Sequence, residues 1–375
     1  MAVYPHRGLT FTRGEGVHLV TASGERYLDM MSNYGVNILG YNHPRLNAAL
    51  VTQFQALPTL HGSFASPGRT EAAERLTRRV FSRPASVYWA NSGAEAIEAA
   101  LKFAAVVTGK KRFLACRNGY HGKTLGALSA THDNKYRRPF EPLLWRFEHV
   151  DFGDSAQLEA VIDDATAAFV VEPVQGEGGL HVPRRGYLEQ VREICTRRGV
   201  LLITDEVQTG TGRTGTFLAA QHEGVEADIV CLGKGLGGGI PIGAAVARED
   251  VASRIPRSTH TSTFGGNPLA CAGVNAVLEI LDDDLLRRVT ELGARFVENL
   301  TRIRHDLVVE VRGCGLMIGV AVRDRRDDIL KALQRERILA IPSGDAVVRF
   351  LPPYLVERAD LDRVAQTLDS VLRTL

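Results

Sequence analysis

Short runs of apolar residues recur through the middle of the chain: SVYWA (86–90), RFLAC (112–116), AAFVVEP (167–173), VLLITDE (200–206), DIVCLG (228–233) and GAAVA (243–247). Each has the length of a strand, and none alternates cleanly with polar residues, so each predicts a strand buried on both faces. Amphipathic stretches separate several of them. GYLEQVREICTRRG (186–199) is one, a helical pattern closed by a glycine. Buried strands alternating with helices predict an α/β architecture, a large and mostly parallel sheet covered on both sides. In such sheets ligands sit beyond the carboxyl ends of the strands. Three polar stretches, NSGAEA, TDEVQ and GKG, each follow directly from one of these runs.

The pattern changes after residue 265. A long helical region (268–306) precedes VVEVRGCGLMIGVAV, which alternates like a half-exposed strand. A helix over 326–337, a short strand around AVVRFLPP and a last helix from 358 complete a smaller α+β domain. The first 40 residues read as a meander with a hairpin at Ser23-Gly24, packed with the C-terminal part. The predicted organisation is an N-terminal segment (1–45) packing with the small domain, a large domain (46–265) and a small domain (266–375).

Composition narrows the partners. The 375 residues are 45% hydrophobic and 23% charged, with a formal net charge of +2, so no excess of either sign argues for nucleic acid or a membrane surface. No run approaches the ~18 apolar residues of a bilayer span, and MAVYPHRGLTF lacks the layout of a signal peptide. Five dispersed cysteines without a CxxC pair predict reduced thiols in a cytoplasmic protein, with no metal site.

Three constellations carry candidate chemistry. In ANSGAEAIEAALKFA (90–104), Ser92 and Glu95 have capping-box spacing and Glu98 to Lys102 is an i,i+4 pair. A well-capped helix explains this, but the small residues Ser92, Gly93 and Ala94 also let an anion reach free N–H groups at the helix start. In VLLITDEVQTGTGRTG (200–215), Gly210, Gly212 and Gly215 fit a dinucleotide fingerprint, yet DEVQT separates them from the strand, against that reading. Asp205 at the end of a buried strand requires a partner, either a capped backbone, an arginine or the protonated ring nitrogen of a cofactor. Lys234, among glycines after DIVCL, reads as an amine shielded from water and available as a nucleophile, with the glycines leaving room for a flat ring. An anion cup, an acidic partner and a lysine at adjacent strand ends are what pyridoxal 5′-phosphate requires.

The chain resembles the class III (ω-amino) aminotransferases of the type I pyridoxal-phosphate fold, and within them the acetylornithine, ornithine and lysine-biosynthetic enzymes, with putrescine aminotransferase near. GVNILGYNHP, NSGAEA, YHGKT, EPVQGEGG, TDEVQTGTGRTG, GKGLGGGIPIGA, STFGGNP and RFLPP carry the resemblance. It implies that Lys234 links covalently to the cofactor and shuttles a proton, and that Asp205 keeps the pyridine nitrogen protonated. Val207 and Tyr120 would hold the two ring faces, Gln208 the 3′-oxygen, and Ser92, Gly93 and Ala94 the phosphate. Thr263 would reach that phosphate from a partner subunit, implying a homodimer with shared sites. His121, beside Tyr120, reads as packing or orientation, with no chemical role assigned.

The resemblance also implies a substrate site with departures. Ornithine-type enzymes usually end the YHGKT motif in HGRT or WGRT, where the arginine clamps a carboxylate; here it is Lys123, a point charge without the bidentate fork. Asn33 stands where ornithine enzymes carry a tyrosine, which suits a donor whose α-amine is masked or absent. Glu177 and Arg349 match a gate in which the glutamate covers the arginine until 2-oxoglutarate binds. The expectation is transfer of a terminal amine from N-acetylornithine, or a related acylated or carrier-bound basic amino acid, to 2-oxoglutarate. A diamine such as putrescine is the alternative donor, and a same-fold aminomutase, racemase or phospho-lyase the alternative chemistry.

Overall fold

The computed structural model describes residues 1, 3, 4 and 6–375. Near the N-terminus three short strands, β1 (Phe11–Glu15), β2 (His18–Thr21) and β3 (Arg26–Asp29), form an antiparallel meander that turns at Ser23 and Gly24. Seven strands then build the main sheet: β4 (Ala85–Ala90), β5 (Arg112–Cys116), β6 (Arg146–Val150), β7 (Thr166–Val171), β8 (Leu201–Asp205), β9 (Ile229–Leu232) and β10 (Gly243–Arg248). Their order is β4-β10-β9-β8-β7-β5-β6. Only β10 runs against its neighbours, so the other six point the same way and their carboxyl ends share one edge. β7 and β9 are buried along their whole length, as strands covered on both faces must be.

The remaining strands belong to the C-terminal third: β11 (Val308–Cys314), β12 (Met317–Val322), β13 (Ile338–Leu339), β14 (Ile341–Ser343) and β15 (Val347–Phe350). β13 pairs in parallel with β3, joining the opening meander to the end of the chain. The other four form a sheet of order β11-β12-β15-β14.

Four expectations change. The region 268–306 is two helices, Pro268–Ile280 and Asp283–Thr301, because the Asp282 side chain accepts from the Leu285 N–H at 2.8 Å and caps a new start. VVEVRGCGLMIGVAV is a hairpin rather than one strand, turning at Gly315, where φ is +55°. The edge strand β6 is half polar and has no apolar run to announce it. Glu98 does not pair with Lys102: it accepts from the N–H groups of Gly126 (2.7 Å) and Ala127 (3.2 Å), while Lys102 turns to His260 at 3.3 Å.

The glycine run 210–215 opens no helix, so the dinucleotide reading has no structural basis. It is packing. Arg213 within it is 1% exposed, donates to the carbonyls of Leu316 (3.0 Å) and Pro352 (2.6 Å), and lies 4.8 Å from the Tyr354 ring centroid. It thereby ties the loop after β8 to the C-terminal region. Arg213→Ala leaves two buried carbonyls unpaired and is expected to lower the unfolding free energy by about 3 kcal/mol. A urea midpoint equal to the unsubstituted protein's contradicts this.

Candidate active site

The aligned carboxyl ends of the main sheet gather the polar segments. Ser92 caps the helix Gly93–Thr108 after β4, its hydroxyl accepting from the Glu95 N–H at 3.2 Å. The capping box is half formed, because the Glu95 carboxylate takes the Asn91 N–H and side-chain amide instead, each at 2.8 Å. The first-turn N–H groups of Gly93 and Ala94 have no acceptor within the helix and are open to an anion. Gly93 admits no side chain, since a Cβ would lie 2.5 Å from Cγ1 of Val207. That contact seats the loop after β8 on the helix start.

A cavity of about 330 Å3 is lined by Gly93, Ala94, Tyr120, Lys123 and Lys234, together with residues of the loops after β7 and β8. Asp205 ends β8, and its Oδ2 lies 2.7 Å from His121 Nδ1, while Oδ1 accepts from the Val207 N–H at 3.0 Å. The buried strand-end carboxylate has found its partner, a histidine and not an arginine. Burial alone would lower the His121 pKa. The hydrogen bond that His121 donates to Asp205, with the charges of Asp205 and Glu172, more than offsets this and raises it above 6.5.

Lys234 follows β9 with φ +44° and lines the same cavity. Burial lowers its pKa despite the nearby carboxylates Glu177 and Asp205, which favours the neutral, nucleophilic amine. The surrounding glycines do not clear space for a ring, contrary to expectation. A Cβ on Gly235 would lie 2.8 Å from Ile38, one on Gly237 2.8 Å from Ile242, and one on Gly233 3.0 Å from the Gly93 nitrogen. They let the lysine turn pack flush against its neighbours.

Arg349, in the middle of β15, is fully buried. Its Nη2 donates to Glu177 Oε1 at 2.7 Å and its Nη1 to Gln208 Oε1 at 2.9 Å. Burial would raise the Glu177 pKa, but the Arg349 and Lys234 charges outweigh it and the carboxyl is held below its usual range. Arg349 thus closes a circuit through the loops after β7 and β8. The expected site residues Gly93, Ala94, Tyr120, Lys123, Glu177, Asp205, Val207, Gln208 and Lys234 line one cavity, with Ser92 and Arg349 bordering it.

Two expected residues stand apart. Asn33 is exposed in a left-handed turn (φ +49°) two residues before Gly35, whose Cβ would lie 3.8 Å from Lys234 Cδ. Thr263 is exposed and off the cavity lining; its neighbour Ser262 accepts from Asn91 Nδ2 at 3.2 Å, holding the loop beside β4. Three further residues, His121, Gly122 and Glu172, line the cavity without a chemical role from the sequence. Glu172 ends the β7 run as Asp205 ends β8, so the same argument about strand-end acids reaches it. Its carboxylate accepts from the N–H groups of Tyr120 (2.9 Å) and Gly176 (3.1 Å), and burial pushes its pKa up to about 7.

A lysine, a carboxylate held by imidazole and an open helix start share one cavity, with a covered guanidinium at its border. Comparison with known proteins agrees. The family described as aminotransferase class-III matches residues 3–372. The acetylornithine aminotransferase of Methanopyrus kandleri is 42% identical over 376 residues, covering 100% of this chain and 96% of its own. A [LysW]-aminoadipate semialdehyde/glutamate semialdehyde transaminase of Sulfurisphaera tokodaii is 39% identical, covering 97% and 94%. The ornithine aminotransferase of Toxoplasma gondii, solved with partial occupancy of PLP at its active site, superposes with a TM-score of 0.95 at 35% identity, over 100% of this chain and 91% of its own. The chain belongs to the class-III aminotransferases. It is a transaminase with the α/β fold of that group.

The histidine–aspartate pair gives a pH test. Because the folded His121 pKa lies above 6.5, its stabilising contribution is fully present below pH 6.5 and fades as pH rises through the raised value. The cofactor-free protein is expected to lose about 3 kcal/mol on His121→Phe at pH 6. The gap to the unsubstituted protein, read by urea unfolding, narrows at higher pH; a gap that widens contradicts the assignment.

Proposed function

We propose that this transaminase uses pyridoxal 5′-phosphate to move the terminal amino group of N-acetylornithine, or a closely related acylated basic amino acid, to 2-oxoglutarate, yielding a semialdehyde and glutamate. The observation that carries the reading is the buried Arg349 held by Glu177 and Gln208 beside Lys234 and Asp205. The residues present fit the cofactor: open helix-start N–H groups for a phosphate, a carboxylate for a ring nitrogen, and an amine of lowered pKa for an aldehyde. Bound there, the cofactor supplies a reactive aldehyde and an electron-withdrawing ring.

In this reading the protein's own groups divide the work. Ser92, Gly93 and Ala94 bind the phosphate. Asp205 holds a proton at the ring nitrogen, and His121 keeps that carboxylate oriented. Val207 and Tyr120 cover the ring faces, and Gln208 bonds its 3′-oxygen. Lys234 moves the proton at the substrate carbon that loses or gains the amine. Lys123 meets the donor carboxylate, and Asn33 lies at the entrance.

Glu177 neutralises Arg349 while the donor occupies the site. Its departure frees the guanidinium for the α-carboxylate of 2-oxoglutarate. Such a switch lets one cavity take a terminal amine in one half of the cycle and an α-oxo acid in the other.

The reading includes a homodimer in which Thr263 reaches the partner's phosphate site. Phe64 and Phe264 are both exposed, and Arg69 joins their segments by donating to the carbonyls of Phe64 (3.0 Å) and Gly266 (2.5 Å). An apolar, braced surface of this kind suits a partner subunit. It also takes residues 46–265 as the cofactor-binding domain, with 1–45 and 266–375 forming the part that carries Arg349.

Two measurements test the assignments. Lys234→Ala is expected to abolish the absorbance band of lysine-linked pyridoxal phosphate; the same band in the variant removes Lys234 from the site. Arg349→Ala is expected to raise the KM for 2-oxoglutarate by on the order of 100-fold, the loss of charged hydrogen bonds worth ~2–3 kcal/mol. An unchanged acceptor KM contradicts the gate.

A further inference from the structure

A lysine ammonium is a point charge on a flexible stem, and it orients a carboxylate less well than a guanidinium does. At Lys123 the surroundings supply what the side chain lacks. Its Nζ lies 4.9 Å from the centroid of the Tyr136 ring, within the range of a cation–π contact. A second ammonium, Lys135, stands 4.9 Å from the same ring, but it is paired with Asp133 Oδ2 at 2.6 Å. Among the described residues no carboxylate lies within ion-pair distance of Lys123, so its charge is available to a ligand.

Tyr136 is itself braced. It meets Tyr120 edge to face, with centroids 5.7 Å apart at 76°. Tyr120 and Lys123 both line the cavity that holds Lys234. Tyr136 borders an adjoining cavity of about 400 Å3, which shares Tyr120 and Glu177 with the first. The ring therefore lines the adjoining cavity, while its two neighbours Tyr120 and Lys123 line the cavity that holds Lys234.

We infer that Tyr136 is a positioning residue for donor selection: its ring holds the Lys123 ammonium where it meets the donor's α-carboxylate. The inference rests on the proposed donor. Tyr136 does not line the cavity that holds Lys234, and the role assigned to it runs through Lys123.

N-acetylornithine and N-acetylputrescine differ only in the α-carboxylate, which makes them the pair of probes. With holoenzyme, Tyr136→Leu is expected to raise the apparent dissociation constant of N-acetylornithine in the donor half-reaction about tenfold, the size of a cation–π contact at a partly desolvated site. N-acetylputrescine is expected to be unaffected, and Tyr136→Phe, which keeps the ring, to behave as the unsubstituted enzyme. In a Lys123→Ala background, Tyr136→Leu is expected to add nothing. Calorimetric binding of N-acetylnorvaline, which has the carboxylate but no terminal amine, is expected to weaken in parallel. Equal losses for both donors, or the same tenfold loss without Lys123, overturn the inference and leave the donor reading intact. Equal handling of the two donors by the unsubstituted enzyme overturns the donor reading, and this inference with it.

Discussion

The buried guanidinium of Arg349 is the constraint on which the site's arrangement depends. A charge without solvent is tolerated only where it is paired and hydrogen-bonded. Glu177 supplies the opposite charge and Gln208 a second acceptor. These come from the loops after β7 and β8, whereas Arg349 comes from the C-terminal sheet. One ion pair therefore joins the two sheets at the cavity. Removing Glu177 strands the buried charge of Arg349, so a ligand that took the place of Glu177 would have to be anionic itself.

Around that pair, the parallel sheet delivers chemistry from successive strand ends. β4 leads to the helix start at Gly93, β5 to Tyr120 and His121, β7 to Glu172 and Glu177, β8 to Asp205 and β9 to Lys234. Loops of few residues on rigid strands hold these groups with little freedom. The cavity is electrostatically graded as well. His121 and Asp205 support each other, burial lowers the Lys234 pKa, and Lys123 brings to the lining an ammonium with no carboxylate partner among the described residues.

Much of this is legible in the sequence because burial leaves a plain trace. Five of the six apolar runs are strands of the common direction, and the sixth is the antiparallel β10; period alone does not reveal direction. Asp205 and Lys234 stand out because a charged residue after such a run is costly without a purpose. Glu172 carries the same trace. The His121–Asp205 contact leaves none, since it joins residues 84 positions apart. Tyr136 is equally silent: an aromatic in a polar stretch shows its role only when Lys123 folds over it. The break at Asp282 is a cap visible in retrospect, hidden by apolar periodicity on both sides. The glycines after β9 are misread for a different reason. Their absence of side chains is used by Ile38, Ile242 and the Gly93 backbone, and no sequence pattern says which neighbour takes the space.

The central claim is that the site takes a terminal amine whose other end carries an α-carboxylate and a masked α-amine. Single donors added to holoenzyme without acceptor, followed by the absorbance of the bound cofactor, test it most directly. The account predicts rapid conversion by N-acetylornithine and slow conversion by ornithine, putrescine, 4-aminobutyrate and lysine. Rapid conversion by putrescine would contradict it, because a second ammonium would then be accepted where Lys123 already places a positive charge.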